Sequence, residues 1–287
     1  MKFFILAAGY GKRAEPLSLF KPKPAFPLGG VPLISLLLRQ LRAQGCRQGF
    51  VNLHHLAAQV AAAAGGGAGL RFFEEMELSG SRALQRALPF FSDWLLVVNG
   101  DTFLDIPLAG LRRAAADERA DGVLLARRDD RGAYAQLRLD ADGYLESTAS
   151  PPAAAPGGLM YAGAALFRKR AVEKIDDKNF FASIIQRRLR FRTVLYDGLW
   201  LDLGTPSSYF RANWEFMARR SPGRANALSP RVAISRRALV ERSVLWENTR
   251  VGPDVRLSEC IVTGGMDLRA ASHRGQIVTP RGVWPLA

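Results

Sequence analysis

The sequence is poor in cysteine and histidine, and it has no long apolar run. Of its 287 residues only two are cysteine and three are histidine, and Cys46 and Cys260 lie far apart without a Cys-x-x-Cys pair. This scarcity argues against a zinc site, a disulfide scaffold and a Ser-His-Asp hydrolase, and it suits a reducing cytoplasm. No apolar stretch approaches the ~18 residues of a membrane helix. The apolar run 3–8 is also short for a secretion signal, so we predict a cytoplasmic protein without membrane contact.

Acidic residues are few relative to basic ones. Lys and Arg total 40 against 26 Asp and Glu, for a formal net charge of +14. A strongly basic chain attracts polyanions, which include nucleic acids, nucleotides and sugar phosphates. The basic residues are mostly arginines scattered along the chain, which disfavours a nucleic-acid partner. Such a partner would require binding that weakens steeply with salt.

Strand and helix patterns alternate over the first 220 residues. The predicted strands are 3–7, 49–53, 70–73, 94–98, 134–139, 144–148 and 159–167, with a hairpin at "DADG" and a loop at 150–158. The predicted helices are 32–44, 56–64, 81–90, 168–175 and one beginning at Thr205-Pro206. Alternation with short turns predicts a Rossmann-like α/β domain over residues 1–220, a doubly wound and mostly parallel sheet with helices on both faces.

From about Leu228 the helical periodicity disappears. Short β-branched clusters recur there at roughly six-residue spacing, which is typical of β-helix coils and predicts a short β-helix over residues 228–287. So few coils must pack on the first domain or on a partner. Exposed β-helix edges also favour self-association into a homo-oligomer.

A glycine-rich basic loop follows the first predicted strand, at residues 8–23. In an open parallel sheet, ligands bind beyond the carboxyl ends of the strands. Gly9 and Gly11 allow the backbone to approach a ligand closely, so that its N–H groups can face phosphate oxygens. Arg13 and Lys23 add positive charge. The spacing matches neither a Walker loop nor the G-x-G-x-x-G fingerprint.

Two aspartates occupy equivalent places after apolar strands. Asp101 directly follows the buried run that ends at Val98, and Asp202 precedes the helix start at Thr205-Pro206. A carboxylate at a strand end can hold Mg²⁺, which takes few protein oxygens and leaves the rest to water and phosphate. With the basic glycine loop, the two aspartates indicate a metal and a polyphosphate.

Three segments together resemble a known family. "LAAGYGKRAEPLS…KPKPAFPLGGVPL", "LLVVNGDTFLDIPL" and "WLDLGTPSSYFRAN" closely resemble, in that order, the sugar-1-phosphate nucleotidyltransferases. These NDP-sugar pyrophosphorylases include mannose-1-phosphate guanylyltransferase-like and N-acetylmuramate-1-phosphate uridylyltransferase-like members. The resemblance covers nearly the whole chain, and the terminal coils look like the short left-handed β-helix of some members.

The resemblance implies an enzyme that joins a nucleoside triphosphate to a sugar 1-phosphate with Mg²⁺ and releases pyrophosphate. Arg13 would neutralise the departing pyrophosphate, and Lys23 would bridge the attacking and attacked phosphates. Asp101 and Asp202 would hold Mg²⁺. The implied nucleotide-binding residues are Leu6, Ala8, Gly9, Gly11, Lys23, Gly80 and Asp101. The sugar phosphate oxygen is already an anion, so fixed cations and in-line positioning address the barrier without a general base.

Two segments depart from the family pattern. The turn that receives the base is usually Gly-Thr-Ala-Gly-like, whereas this chain has "LSGSRAL", with Arg82 where a glycine is expected. A bulky cation there would crowd or reshape the base pocket. The family often has Glu-Lys-Pro before the sugar-facing strand, and here "TASPPAAAPGG" carries neither charge. Two alternatives stay open: a catalytically silent regulatory relative, and a cytidylyltransferase acting on phosphocholine.

Overall fold

A computed structural model of the protein describes residues 1–151, 155–269 and 272–286. Contacts divide the chain into two units. The first comprises Met1–Gly9, Leu37–Gly100 and Leu104–Trp200, and the second comprises Tyr10–Leu36, Asp101–Phe103 and Leu201–Ala287. Within the described ranges, no helix combines the length and apolar character that crossing a membrane requires. The boundary predicted between residues 220 and 228 stays a prediction.

Over its described residues, the first unit is built on a nine-stranded sheet. Its strands are Lys2–Leu6, Gly49–Leu53, Leu70–Glu74, Trp94–Asn99, Gly122–Asp129, Gln136–Leu139, Leu145–Ala149, Gly158–Arg168 and Phe191–Leu195. The first four pair in parallel. Gly158–Arg168 extends the sheet antiparallel to Trp94–Asn99, and Phe191–Leu195 lies parallel to Gly122–Asp129. The predicted α/β fold with its parallel central strands is confirmed.

The inner parallel strands, Lys2–Leu6, Gly49–Leu53 and Trp94–Asn99, are mostly apolar on both faces, as strands covered by helices must be, whereas the edge strand Leu70–Glu74 carries exposed charged residues. Residues 95–98 of the central strand are completely buried, and all of Gly49–Leu53 is buried. Phenylalanines from three strands extend the core, with the Phe50 and Phe73 rings stacked at 5.4 Å. The carboxyl ends of Lys2–Leu6 and Trp94–Asn99 lie side by side, because the two strands pair in parallel and Leu6 is opposite Asn99.

Helices fill the connections. They are Leu33–Ala43, Ala57–Ala64, Leu108–Ala114, Lys169–Val172, Phe180–Gln186 and Pro206–Arg220. The helix predicted for 81–90 is wrong in type, because Gly80–Phe90 is a 3-10 helix. Pro89 lies inside this segment and has no N–H to donate, so regular α-helical bonding is interrupted there.

Several elements were not predicted from the sequence. They are the helices Leu108–Ala114 and Phe180–Gln186 and the strands Gly122–Asp129 and Phe191–Leu195. Gly122–Asp129 begins with a buried apolar run but ends in Arg-Arg-Asp, which interrupts the strand pattern. The predicted hairpin is confirmed, because Gln136–Leu139 pairs antiparallel with Leu145–Ala149. Part of the predicted loop 150–158, residues 152–154, lies outside the described residues.

The second unit contains the C-terminal strands. They are Ala227–Leu228, Ala233–Ile234, Leu239–Glu241, Val244–Leu245, Arg250–Val251, Arg256–Ser258, Ile261–Val262, Asp267–Leu268, Ser272–Arg274, Gln276–Thr279 and Gly282–Pro285. They form three stacks whose members pair in parallel, closed in one stack by an antiparallel last strand. Paired positions in successive coils lie 17 residues apart, as Val244 and Ile261 do, except in the last coil, where Ile261 and Ile277 lie 16 apart. Each coil contributes a strand to each of the three stacks, so a strand recurs about every six residues, as predicted.

Apolar side chains from all three stacks fill the interior of these coils, among them Leu245, Val251 and Leu257. The predicted β-helix-like segment is confirmed. Its left-handedness stays a prediction, and residues 270, 271 and 287 lie outside the described part of the chain. The remaining short strands are Pro27–Leu28, Val31–Pro32, Thr102–Leu104 and Trp200–Asp202.

Candidate functional site

The basic loop is folded as successive 3-10 turns, Lys12–Ala14, Leu17–Leu19 and Lys23–Ala25. Gly11 precedes the first turn with φ +69°, a conformation that glycine adopts without strain. A Cβ at Gly11 would lie 3.2 Å from Cγ and 3.3 Å from Cε of Lys23. The missing side chain therefore lets the stem of Lys23 lie against the loop backbone.

Lys23 and Asp101 form an ion pair, with 2.6 Å between Nζ and Oδ2. The Lys23 side chain is only 10% exposed, while that of Asp101 is 38% exposed. A buried ammonium group without a partner is strongly disfavoured, so Asp101 stabilises the inward position of Lys23. The Lys23 ammonium can donate three hydrogen bonds. Within the described ranges, the hydrogen-bond partner of its Nζ is the Asp101 carboxylate.

Asp202 lies just before a helix N-terminus. Its Oδ1 accepts the backbone N–H of Gly204 at 3.0 Å. The helix Pro206–Arg220 follows, and the helix start predicted at Thr205-Pro206 is confirmed. Thr205 is the N-cap, and it also forms a capping box with Ser208 that was not predicted. This turn holds the Asp202 carboxylate in one orientation.

Arg13 and Asp202 both lie against Gly204. A Cβ at Gly204 would be 2.8 Å from Asp202 Oδ1 and 3.2 Å from a guanidinium nitrogen of Arg13. Glycine at this position therefore lets the two charged groups approach the same patch of backbone. Arg13 is exposed and Asp202 is half-buried, so both side chains remain accessible to a ligand.

The oxygen donors of Asp101 and Asp202 fit a magnesium ion in chemical type. Mg²⁺ prefers carboxylate oxygens and keeps several waters and substrate phosphates, so it needs only one or two protein carboxylates. A self-sufficient protein cage is not expected at such a site. The described residues contain no group of three or more His, Cys, Asp or Glu side chains that could hold a metal.

The remaining predicted residues lie in the first unit, except Gly11. The carbonyl of Leu6 accepts the N–H of Gly100 at 2.8 Å, which ties the ends of two parallel strands together. Ala8 is buried, and Gly9 is exposed, with open space where a Cβ would be. Gly80 has φ +59°, and a Cβ there would lie 2.3 Å from the carbonyl oxygen of Lys178. That contact excludes every other residue type at position 80 without backbone movement.

A buried polar network in the first unit was missed by sequence reasoning. Asn52 Oδ1 accepts the backbone N–H of Ala7 at 2.7 Å, and its Nδ2 donates to Glu75 Oε1 at 2.7 Å. The other carboxylate oxygen of Glu75 accepts the backbone N–H of Ser79 at 2.7 Å and its hydroxyl at 2.6 Å. Asn52 and Glu75 are 2% and 6% exposed, so each needs these partners.

This network connects Ala7, the residue just before the glycine loop, to the turn that carries Gly80. One signal could have revealed it: Asn52 is the polar residue in the buried strand "GFVNL", where such a side chain must find a partner. Arg82 follows in the same turn, and its side chain is exposed. Its effect on a base pocket stays a prediction.

Solved structures share this fold. The crystal structure of HddC from Yersinia pseudotuberculosis matches with a TM-score of 0.65 and 22% identity, over 75% of this chain and 99% of that one. The same protein complexed with GMP-PN matches with a TM-score of 0.64. The α/β architecture of this chain is thus shared with a protein of known structure.

The chain belongs to the nucleotidyl transferase family, whose profile matches residues 2–219. It is 26% identical over 296 residues to a mannose-1-phosphate guanylyltransferase of Mycobacterium tuberculosis, covering 93% of this chain and 80% of that protein. It is 28% identical over 220 residues to an N-acetylmuramate alpha-1-phosphate uridylyltransferase of Neisseria meningitidis, covering 71% of this chain and 94% of that protein. The predicted resemblance and enzyme class are confirmed.

Proposed function

We propose that the protein joins a nucleoside triphosphate to a sugar 1-phosphate, giving an NDP-sugar and pyrophosphate. The observation that carries this proposal is the pair of Lys23 and Asp101, a buried ammonium held by a more exposed carboxylate. An anionic substrate needs such a cation, and a divalent metal needs such a carboxylate. The relatives named above act on substrates of this kind according to their names.

The reaction is a displacement at the α-phosphorus of the triphosphate. An oxygen of the sugar phosphate forms a bond to that phosphorus, and the bond from the phosphorus to the bridging β-phosphate oxygen breaks. The electron pair leaves with pyrophosphate. No proton has to be removed from the nucleophile, because the phosphate oxygen is already an anion. Catalysis is then mainly positioning and charge stabilisation.

Lys23 has a specific part in this scheme. In the free protein its ammonium is neutralised by Asp101. When the triphosphate binds, Lys23 donates to phosphate oxygens, and charge that builds up at the α-phosphate is stabilised by the fixed cation. The aliphatic stem of Lys23 lies against Gly11 and the loop backbone, so the side chain needs to move little when the triphosphate binds.

Asp101 and Asp202 would hold Mg²⁺. The ion would supply Lewis-acid stabilisation of phosphate oxygens and a template for the two substrates. The backbone N–H of Gly204 fixes the Asp202 carboxylate, leaving its second oxygen for this role. Arg13, which lies against the same glycine, neutralises the departing pyrophosphate.

The nucleotide-binding set of Leu6, Ala8, Gly9, Gly11 and Gly80 remains part of the proposal. Exposed Gly9 presents bare backbone that a phosphate can approach closely. The cytoplasmic location, the absence of a nucleic-acid partner and self-association through the β-helix also stay predictions.

The test is pyrophosphate release by the purified protein with Mg²⁺, across the four NTPs and a panel of sugar 1-phosphates plus phosphocholine. Release with one NTP and one sugar 1-phosphate, lost on adding EDTA, supports the proposal and identifies the product. Release only with CTP and phosphocholine would favour the cytidylyltransferase alternative. Absence of release from every pair, with nucleotide binding still visible as a thermal shift, would favour the silent regulatory relative.

A further inference from the structure

Two adjacent β-helix residues hold the loop that carries Lys23. Glu247 forms an ion pair with Lys21, with 2.6 Å between Oε1 and Nζ. The two side chains are 32% and 15% exposed, so the pair is shielded from much of the solvent. Lys21 Nζ also lies 5.6 Å from the ring centroid of Trp246, within the range of a cation–π contact.

Trp246 anchors the other side of the same loop. Its ring lies 5.4 Å from that of Phe26, and its Nε1 donates to the Tyr209 hydroxyl at 3.0 Å. The Tyr209 hydroxyl in turn donates to the carbonyl of Pro27 at 2.7 Å. Burial raises the pKa of the Tyr209 phenol, which keeps it protonated and able to donate. All three rings are buried.

These contacts bracket Lys23 in sequence. Lys21 precedes it by two positions, Phe26 follows it by three, and both are held by the neighbouring residues Trp246 and Glu247. The segment between them is a single 3-10 turn, Lys23–Ala25, with little freedom once its ends are fixed. The apolar anchor suits folding, whereas the charged anchor is specific in direction and involves Lys21, which lies closer to Lys23 in sequence than Phe26 does.

We propose that Glu247 is a positioning residue, which acts through Lys21 to fix the loop that places Lys23. The β-helix then helps to place the lysine that carries the chemistry. Glu247 does not touch substrate in this account; it sets the position of the side chain that does. The inference rests on the role proposed for Lys23. Misplacing a catalytic group by a small distance lowers the rate far more than it weakens binding.

A double-mutant cycle tests the proposal. Glu247→Gln removes the charge and keeps the size, and Lys21→Met keeps the stem over Trp246 while removing the ammonium. Each single variant is expected to lower kcat about tenfold with KM for the NTP changed much less. The double variant is expected to be no worse than either single one, because the two residues act as a unit. Additive losses, or unchanged kcat in Glu247→Gln, would overturn the proposal.

Asp254→Asn is the matched control. Asp254 is another β-helix carboxylate in an ion pair, and its partner is Arg237. The Asp254 side chain is 65% exposed and that of Arg237 is 71% exposed. Wild-type kcat is expected in this variant. A loss equal to that of Glu247→Gln would show a general weakening of the β-helix and would contradict a positioning role.

Hydrogen exchange of the backbone amides in the segment 20–26, which has an N–H at every residue except its two prolines, gives a readout that does not depend on turnover. These amides include those of Phe20, Lys21 and Phe26, which are bonded within the loop. Exchange there is expected to be faster in Glu247→Gln than in the wild type or Asp254→Asn. If the wild-type protein shows no turnover, the proposed reaction fails, and this measurement alone decides the coupling. Equal exchange in all three proteins would overturn it.

Discussion

The basic loop of the second unit and the turn of the first unit at residues 75–82 are organised by different forces. In the loop, two lysines are each held by a carboxylate at 2.6 Å, Lys23 by Asp101 and Lys21 by Glu247. In the turn, one buried carboxylate, Glu75, accepts hydrogen bonds from uncharged partners. Substitutions in the first region should therefore change the reaction, and substitutions in the second should mainly change stability.

The largest effect is expected for Lys23→Ala. Removing the fixed cation should abolish measurable turnover, a loss on the order of 10²-fold or more, while the fold remains intact. The measurement is pyrophosphate release, with circular dichroism to check folding. Lys12→Ala removes an exposed lysine of the same loop and should retain wild-type activity. Full activity in Lys23→Ala would refute the proposed site.

Asp101→Asn is expected to have a comparable effect. The amide cannot replace the charge that a divalent cation requires, and it leaves buried Lys23 without its counterion. Turnover should be lost at every Mg²⁺ concentration tried in a titration. Asp130→Asn, at an exposed carboxylate, serves as the control. Wild-type turnover in Asp101→Asn would contradict the role assigned to this carboxylate.

Glu75→Gln tests the other side of the comparison. Both carboxylate oxygens of Glu75 accept hydrogen bonds, and the substitution replaces one of them with an NH₂ group. At least one donor that now bonds to Glu75 would then meet another donor, and a buried group left unsatisfied costs about 1–3 kcal/mol. The free energy of unfolding in urea should fall by that amount, whereas kcat should change much less than in Lys23→Ala. Glu77→Gln, at the neighbouring exposed position, should leave stability unchanged. A normal unfolding midpoint in Glu75→Gln would mean that the network is not structural.

The smallest effect is expected for Arg82→Ala. The side chain is exposed, and surface substitutions of this kind usually change stability by no more than about 0.5 kcal/mol. Stability should be unaffected, and KM for the NTP reports directly on whether the arginine crowds the base. A large fall in KM would support crowding, and an unchanged KM would remove one of the two reasons for expecting a silent relative.

The sequence predicted what depends on local pattern. The buried run 95–98, the Thr205-Pro206 helix start and the repeating β-helix spacing each follow from periodicity or capping, and each is present. It did not predict contacts between distant segments. The pairs of Lys21 with Glu247 and of Asn52 with Glu75 depend on how the chain folds back, and no local spacing encodes them. Gly80–Phe90 was mistaken for an α-helix because apolar spacing alone does not distinguish it from a 3-10 helix.

The most direct test of the central claim compares the wild-type protein with Lys23→Ala in a mass-spectrometric assay for NDP-sugar, using the NTP and sugar 1-phosphate that release pyrophosphate. We expect Mg²⁺-dependent NDP-sugar from the wild type and none above background from Lys23→Ala, with both proteins folded. Equal product from the two proteins would contradict the claim that the buried lysine paired with Asp101 carries the chemistry.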